Sequence, residues 1–191
     1  MTQYFRLTLE VRIKGAWYLS TILDQEHEEI LGSHFNQGKR FDKMTELTVI
    51  PNVVGKPVDF RETSFGVPIV SSTFANVVES LDPEAIQRIP VTVAPSTFGY
   101  EILNILTMLE CIDHEHTLIE YYTEKDHVPE VVGRIKSIQH LTIRPDIVEG
   151  HHIFRLTERW TIIVVSEVLK KALEDSGFTG TKFIPIEKVY S

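Results

Sequence analysis

One cysteine, Cys111, stands in 191 residues. A single thiol forms no internal disulfide and cannot build a cysteine zinc site by itself. No apolar run approaches the ~18 residues that a membrane-crossing helix needs. The opening MTQYFRLTLEVRIKG lacks the basic-then-apolar layout of an export signal, so a cytoplasmic protein without a membrane partner is expected. Also missing are Gly-x-Ser-x-Gly, a Walker-type Gly-Lys-Ser/Thr loop and Gly-x-Gly-x-x-Gly. No cofactor is therefore expected.

Basic residues are short as well: 19 Lys and Arg face 27 Asp and Glu, for a net charge of −8. A nucleic-acid binder needs clustered cations, so nucleic acid is not an expected partner. The excess of acid is concentrated. Residues 101–130 carry Glu101, Glu110, Asp113, Glu115, Glu120, Glu124, Asp126 and Glu130 against Lys125 alone, which is −7 of the −8. Such a segment is either a set of solvated faces and loops or a surface that attracts a basic partner. On the second reading Glu110, Asp113, Glu115, Glu120, Glu124 and Asp126 are the candidate contact residues.

What is present is a strand-rich pattern with two well-marked helices. Tyr4 to Ile13 alternates and reads as a strand with Arg6, Thr8, Glu10 and Arg12 facing water. Ala16–Leu23, Leu47–Ile50, Val91–Val93, Tyr100–Ile112, Thr117–Tyr122, Ile135–Ile143, His151–Leu156 and Thr161–Val165 read as further strands. Asp113–His116 is the expected hairpin turn, and Pro90 the expected break before Val91. Phe74, Val77, Val78 and Leu81 repeat at helical spacing behind Ser71-Ser72. Val168, Leu169, Ala172 and Leu173 do so behind Ser166, and Gly177 marks a left-handed stop, giving a C-terminal helix near 166–176. The fold class is α+β: a mostly antiparallel sheet with a few flanking helices, in a single domain over 1–191.

Metal-ligand residue types cluster at Asp113-His114-Glu115-His116. On an extended strand His114 and His116 would share a side and could hold a metal, with His151 or His152 as a third ligand. The spacing matches no zinc signature, and a solvated turn accounts for it without a metal. Cys111 beside them is either a thiol nucleophile or a small core residue. An enzyme centred on Cys111, His114 and His116 is thus one alternative. A non-catalytic module that pairs with itself or another chain is another. Trp17, Tyr18, Tyr121, Tyr122 and Trp160 are divided between core and partner anchors, and Asp59 and Asp113 are candidates for buried polar residues that hold loops in place.

Several segments together resemble one family. They are Pro57–Phe60 (PVDF), Val67–Ser71 (VPIVS), Ile86–Val91 (IQRIPV), Tyr100–Asn104 (YEILN), Cys111–Asp113 (CID), Gly150–Arg155 (GHHIFR), Val164–Glu167 (VVSE) with Leu169 and Lys170, and Gly177–Gly180 (GFTG) with Phe183. The order runs from about residue 55 to the end. Tyr4–Leu7 and Trp17 extend it into residues 1–54. This is similar to the eleventh immunity-protein family of bacterial polymorphic toxin systems, formerly an uncharacterised domain family. Thr117 stands where that family often has serine. The resemblance implies a protein that binds and blocks a cognate toxin without catalysis. It implies scaffold roles for the shared residues, including Ser166 as cap, Gly177 as helix stop and Arg155 as a buried or edge ion-pair partner.

Overall fold

The computed structural model describes residues 2–94, 96 and 99–187. In chain order come β1 (Tyr4–Leu9), β2 (Tyr18–Leu23), β3 (Glu29–Ile30), β4 (Thr48–Val53), β5 (Phe60–Glu62) and β6 (Pro68–Ser71). Helix α1 (Ser72–Leu81) leads to β7 (Ile86–Val93), β8 (Tyr100–Ile105), β9 (Met108–Leu109), β10 (Leu118–Tyr121) and β11 (Ile135–His140). The short α2 (Pro145–Val148) precedes β12 (Ile153–Leu156), β13 (Ile163–Ser166), α3 (Glu167–Asp175) and β14 (Thr181–Pro185).

The strands form two main sheets, not the one expected. A seven-stranded sheet runs β3-β2-β4-β7-β8-β6-β5, and a five-stranded sheet runs β14-β1-β13-β12-β9. Pairing is antiparallel except at β4–β7 and β9–β12. The class is α+β but weighted towards strand, and the two long helices do not flank a sheet. Helix α1 packs on β6 and β8, α3 packs on β1 and β13, and the helices touch each other. Phe74, Ala75 and Val78 of α1 and Leu169 and Leu173 of α3 join Leu7, Val70, Leu103, Ile105, Ile153, Ile163 and Val165 in one core between the sheets.

Each sheet also buries its far face. Trp17 and Phe35 pack with Leu19, Ile22, Val49, Ile69, Val91, Val93 and Ile102 of the seven-stranded sheet, so residues 1–54 supply three strands and a core layer to it. Behind the five-stranded sheet, Cys111, Ile112, Ile135, Ile143 and Val148 cover Tyr4, Phe154, Leu156 and Val164. Two-sided burial explains two departures from the sequence pattern. Strand β8 is buried at all six positions, Glu101 and Asn104 included, so it has no solvent face to impose an alternation. The strand expected over 100–112 is in fact broken: the amides of Leu106 and Thr107 both turn to the carbonyl of Ala85, and the chain crosses to the other sheet. Pro90 does not interrupt β7. It sits opposite Glu101, before the β4 pairing begins at Thr92, so its missing N–H costs no bond on that side.

Both serine caps are formed. Ser71 Oγ accepts from the amide of Phe74 at 3.4 Å, and Ser166 Oγ from that of Leu169 at 3.2 Å. Both caps are tied further. Ser71 Oγ donates to Asp59 Oδ1 at 3.0 Å, and Asp59 Oδ2 accepts from the amide and hydroxyl of Thr179, both at 2.8 Å. Ser166 Oγ meets His152 Nδ1 at 2.7 Å, while the His152 amide donates to Asp82 Oδ2 at the end of α1. Gly177 (φ +71°) ends α3, and Gly180 (φ +96°) lies where a Cβ would come within 2.1 Å of the Phe60 carbonyl oxygen.

Arg155 is fully buried, and its guanidinium donates to the carbonyls of Trp160 and Gly66, joining a loop of each sheet. Burial lowers its pKa to about 10, so it stays charged at neutral pH, and Glu62 is the carboxylate whose field it feels. Burial in turn raises the Glu62 carboxyl, against the pull of Arg155, Arg6 and Arg61. Arg6 is accordingly half-buried, not on the water face expected of it.

Replacing Asp59 by Ala should cost about 2 kcal/mol or more, since three hydrogen bonds to a carboxylate are lost at once. In urea melts, Asp59→Ala and Thr179→Ala together should cost less than the sum of the two single changes. Additive costs would show that the two residues do not act as one junction.

Candidate functional site

The acidic segment is divided by the fold. Glu101 belongs to the interior: it is 8% exposed on the central strand β8, with Arg88 Nε and Nη2 each 2.7 Å from its carboxylate oxygens. Burial disfavours that charge, but Arg88 outweighs the penalty and holds the Glu101 carboxyl below its ordinary value. Glu101 therefore adds nothing to an outward surface, and the acidic face begins at Glu110.

Residues 113–116 form a turn, but not between paired strands. Strands β9 and β10 lie in different sheets, and β10 pairs only with β11, as a two-stranded ribbon outside both. Asp113 makes the turn. Its carboxylate accepts from the amides of Glu115 and His116 at 3.0 and 3.3 Å and meets His116 Nδ1 at 2.9 Å. These contacts outweigh partial desolvation and keep its pKa low. Asp126 caps the next turn by accepting from the amide and hydroxyl of Thr123, and it takes Lys136 Nζ at 2.6 Å. The same ammonium lies 2.9 Å from Glu120, which also accepts from Ser137 Oγ. Lys136 is thus the cation that organises the ribbon. It pulls Asp126 down to about 2 and Glu120 below its ordinary value.

Of the six candidate contact residues, Asp113, Glu120 and Asp126 hold the ribbon's own shape. The side chains of Glu110, Glu115 and Glu124 form no hydrogen bond or ion pair with any described residue. The same part of the chain exposes apolar side chains that sequence patterning did not single out, Leu118 (58% exposed), Val128 (42%) and Val132 (43%), together with the anchor candidate Tyr121 (44%). On the inner side Ile119 and Ile138 rest on the core behind the five-stranded sheet. Arg159 donates to the outward carbonyls of Ile135 and Lys136, so the ribbon is fastened at β11. The acidic segment and Tyr121 pointed to this face in advance; a signal not used was Val128 and Val132 in a Pro- and Glu-bearing loop, where no core position calls for them.

The catalytic and metal alternatives find no common centre. Cys111 is fully buried, and burial pushes its thiol up to about 12, so no thiolate forms at neutral pH. His116 is bound to Asp113, while His114 lies 3.7 Å from Glu158. Residues 113–116 turn instead of extending, so the two rings do not share a strand face. Among the described residues no three His, Cys, Asp or Glu side chains converge as a metal site. No helix among them is long and apolar enough to cross a membrane. The aromatic residues divide: Trp17 is core, Tyr18 is exposed under the Arg61 guanidinium, and Trp160 is exposed beside a cleft lined by Leu31 and Phe65.

The scaffold thus exposes acidic and apolar side chains together on the ribbon. The relationship is specific: residues 8–188 match the Immunity protein family (Imm11), and the chain belongs to that family. No curated protein matches it.

The Asp126 carboxyl should titrate near 2 by NMR and move up towards its ordinary 3.8 in Lys136→Met. Because the folded value is the lower one, its contribution to stability is present above pH 3.8 and fades as pH falls towards 2. An unchanged titration would remove Lys136 from its organising role. Cys111 should resist an aromatic disulfide reagent at neutral pH until the protein is unfolded; rapid stoichiometric reaction of the native protein would contradict its burial.

Proposed function

We propose that this protein neutralises a cognate protein toxin of a bacterial polymorphic toxin system by binding it in the cytoplasm, without catalysis. Membership of an immunity family over nearly the whole chain carries this reading, and it implies a protein toxin as partner. The chain acts in it as one domain, with the surface from Glu110 to Val132 as the contact face. Glu110, Glu115 and Glu124 supply uncommitted negative charge, and Leu118, Tyr121, Val128 and Val132 supply apolar area that binding would remove from water. The toxin is basic on this reading. Carboxylates at the rim speed and orient its capture, and the apolar centre slows its release.

The test is co-purification with the product of the adjacent gene, followed by association kinetics. Glu110→Lys, Glu115→Lys and Glu124→Lys together should slow association about tenfold at low salt and flatten its salt dependence. Tyr121→Ala should act mainly on dissociation. Unaltered kinetics in all of these would place the contact face elsewhere on the molecule.

A further inference from the structure

Next to the ribbon a cavity of about 490 Å³ opens between the start of β1, residues 143–149 and the end of β14. Its floor is apolar and buried: Tyr4, Ile143, Val148 and Ile186. Its rim carries Asp146, Glu149 and Glu187, and among the described residues neither a lysine nor an arginine lines it. The donors at its base are directed into the protein. The Tyr4 hydroxyl donates to the Val148 carbonyl, and the Gln3 amide to the Ile186 carbonyl at 2.6 Å. The side chains of Asp146 and Glu149 have no hydrogen-bond or ion-pair partner among the described residues. The third carboxylate, Glu187, meets His140 Nε2 at 2.7 Å.

An apolar shaft beneath three carboxylates suits one kind of side chain, an aliphatic stem that ends in a cation. An acidic group would be repelled, and a purely apolar one would cover the carboxylates without satisfying them. The cavity is also continuous with the proposed contact face. His140 ends β11 directly opposite Leu118 of β10, and it is His140 that reaches Glu187 on the rim. We propose that this cavity is an anchor pocket that takes a lysine side chain presented by the toxin. The inference rests on the toxin-binding reading and names the chemistry that one part of the partner must carry.

Two experiments separate the pocket from that reading. First, the protein alone is titrated with Nα-acetyl-lysine methylamide and with its norleucine counterpart, while the backbone amides of 143–149 and 186–187 are followed by NMR. The lysine probe should shift them saturably. The norleucine probe should bind on the order of tenfold more weakly, and Asp146→Lys with Glu149→Lys should abolish the lysine response at an unchanged melting temperature. Both positions are exposed, so this variant keeps the core intact. Equal binding of the two probes, a response that survives the charge reversal, or no response up to the solubility of the probe overturns the proposal. So does a gain in probe affinity on deleting residues 188–191, which would make the chain's own end the occupant.

Second, the same double variant is measured against the adjacent gene product. A loss of affinity supports the anchor, and unchanged affinity overturns it as a toxin contact. If the parent protein does not bind that product at all, the toxin-binding reading fails for that partner, while the first experiment still decides what the cavity takes.

Discussion

Asp59 is the point on which the two sheets depend. One carboxylate takes the Ser71 hydroxyl that caps α1 and both donors of Thr179, which follows α3 by a few residues. Residues separated by 120 positions are thereby held at the edge of the seven-stranded sheet. Gly180 completes the junction, because only a residue without a Cβ can run against the Phe60 carbonyl with its backbone in that conformation. Asp82, His152 and Ser166 form a comparable joint at the other end of the helix pair. The helices are therefore fixed by their caps as well as by the leucine and phenylalanine side chains between them.

Much of the scaffold could be read from local chemistry. Both N-cap serines, the stop at Gly177, the turn held by Asp113 and most strands were legible from local pattern, whereas Asp59 holds its loop through Ser71 and Thr179, 12 and 120 positions away, and neither aspartate is buried as expected. The places where the pattern misled all depend on tertiary context. Strand β8 shows no alternation because it has no solvent face, and the segment over 100–112 looked continuous because nothing in its composition marks the turn at Leu106 and Thr107 towards the Ala85 carbonyl. Pro90 looked like a break because its tolerance depends on where β4 happens to start pairing. Arg155 was legible as a buried charge, but not as a donor to two carbonyls on different loops.

The charge pattern was legible only in bulk. Eight acids in thirty positions suggested a surface, yet Glu101 is an internal ion pair and Asp113, Glu120 and Asp126 are bound within the ribbon. What distinguishes these from Glu110, Glu115 and Glu124 is the position of Arg88, Lys136 and backbone amides, and those positions follow from tertiary pairing. The exposed apolar residues of the ribbon escaped notice for a related reason: in a strand-rich chain, an isolated valine or leucine reads as core until its partner strand is known.

Among the described residues the β10–β11 ribbon pairs with nothing but itself, and Ile135, with the partly buried Ile119 and Ile138, is its main hold on the interior apart from the Arg159 clasp. Its outer side chains can therefore be exchanged with little effect on the fold, since surface substitutions away from such anchors change stability by about half a kcal/mol or less. The outward side chains of the ribbon are thus separate from the residues that carry the fold. Those outward positions can be rewritten while the caps, the Asp59 junction and the packed helices stay as they are.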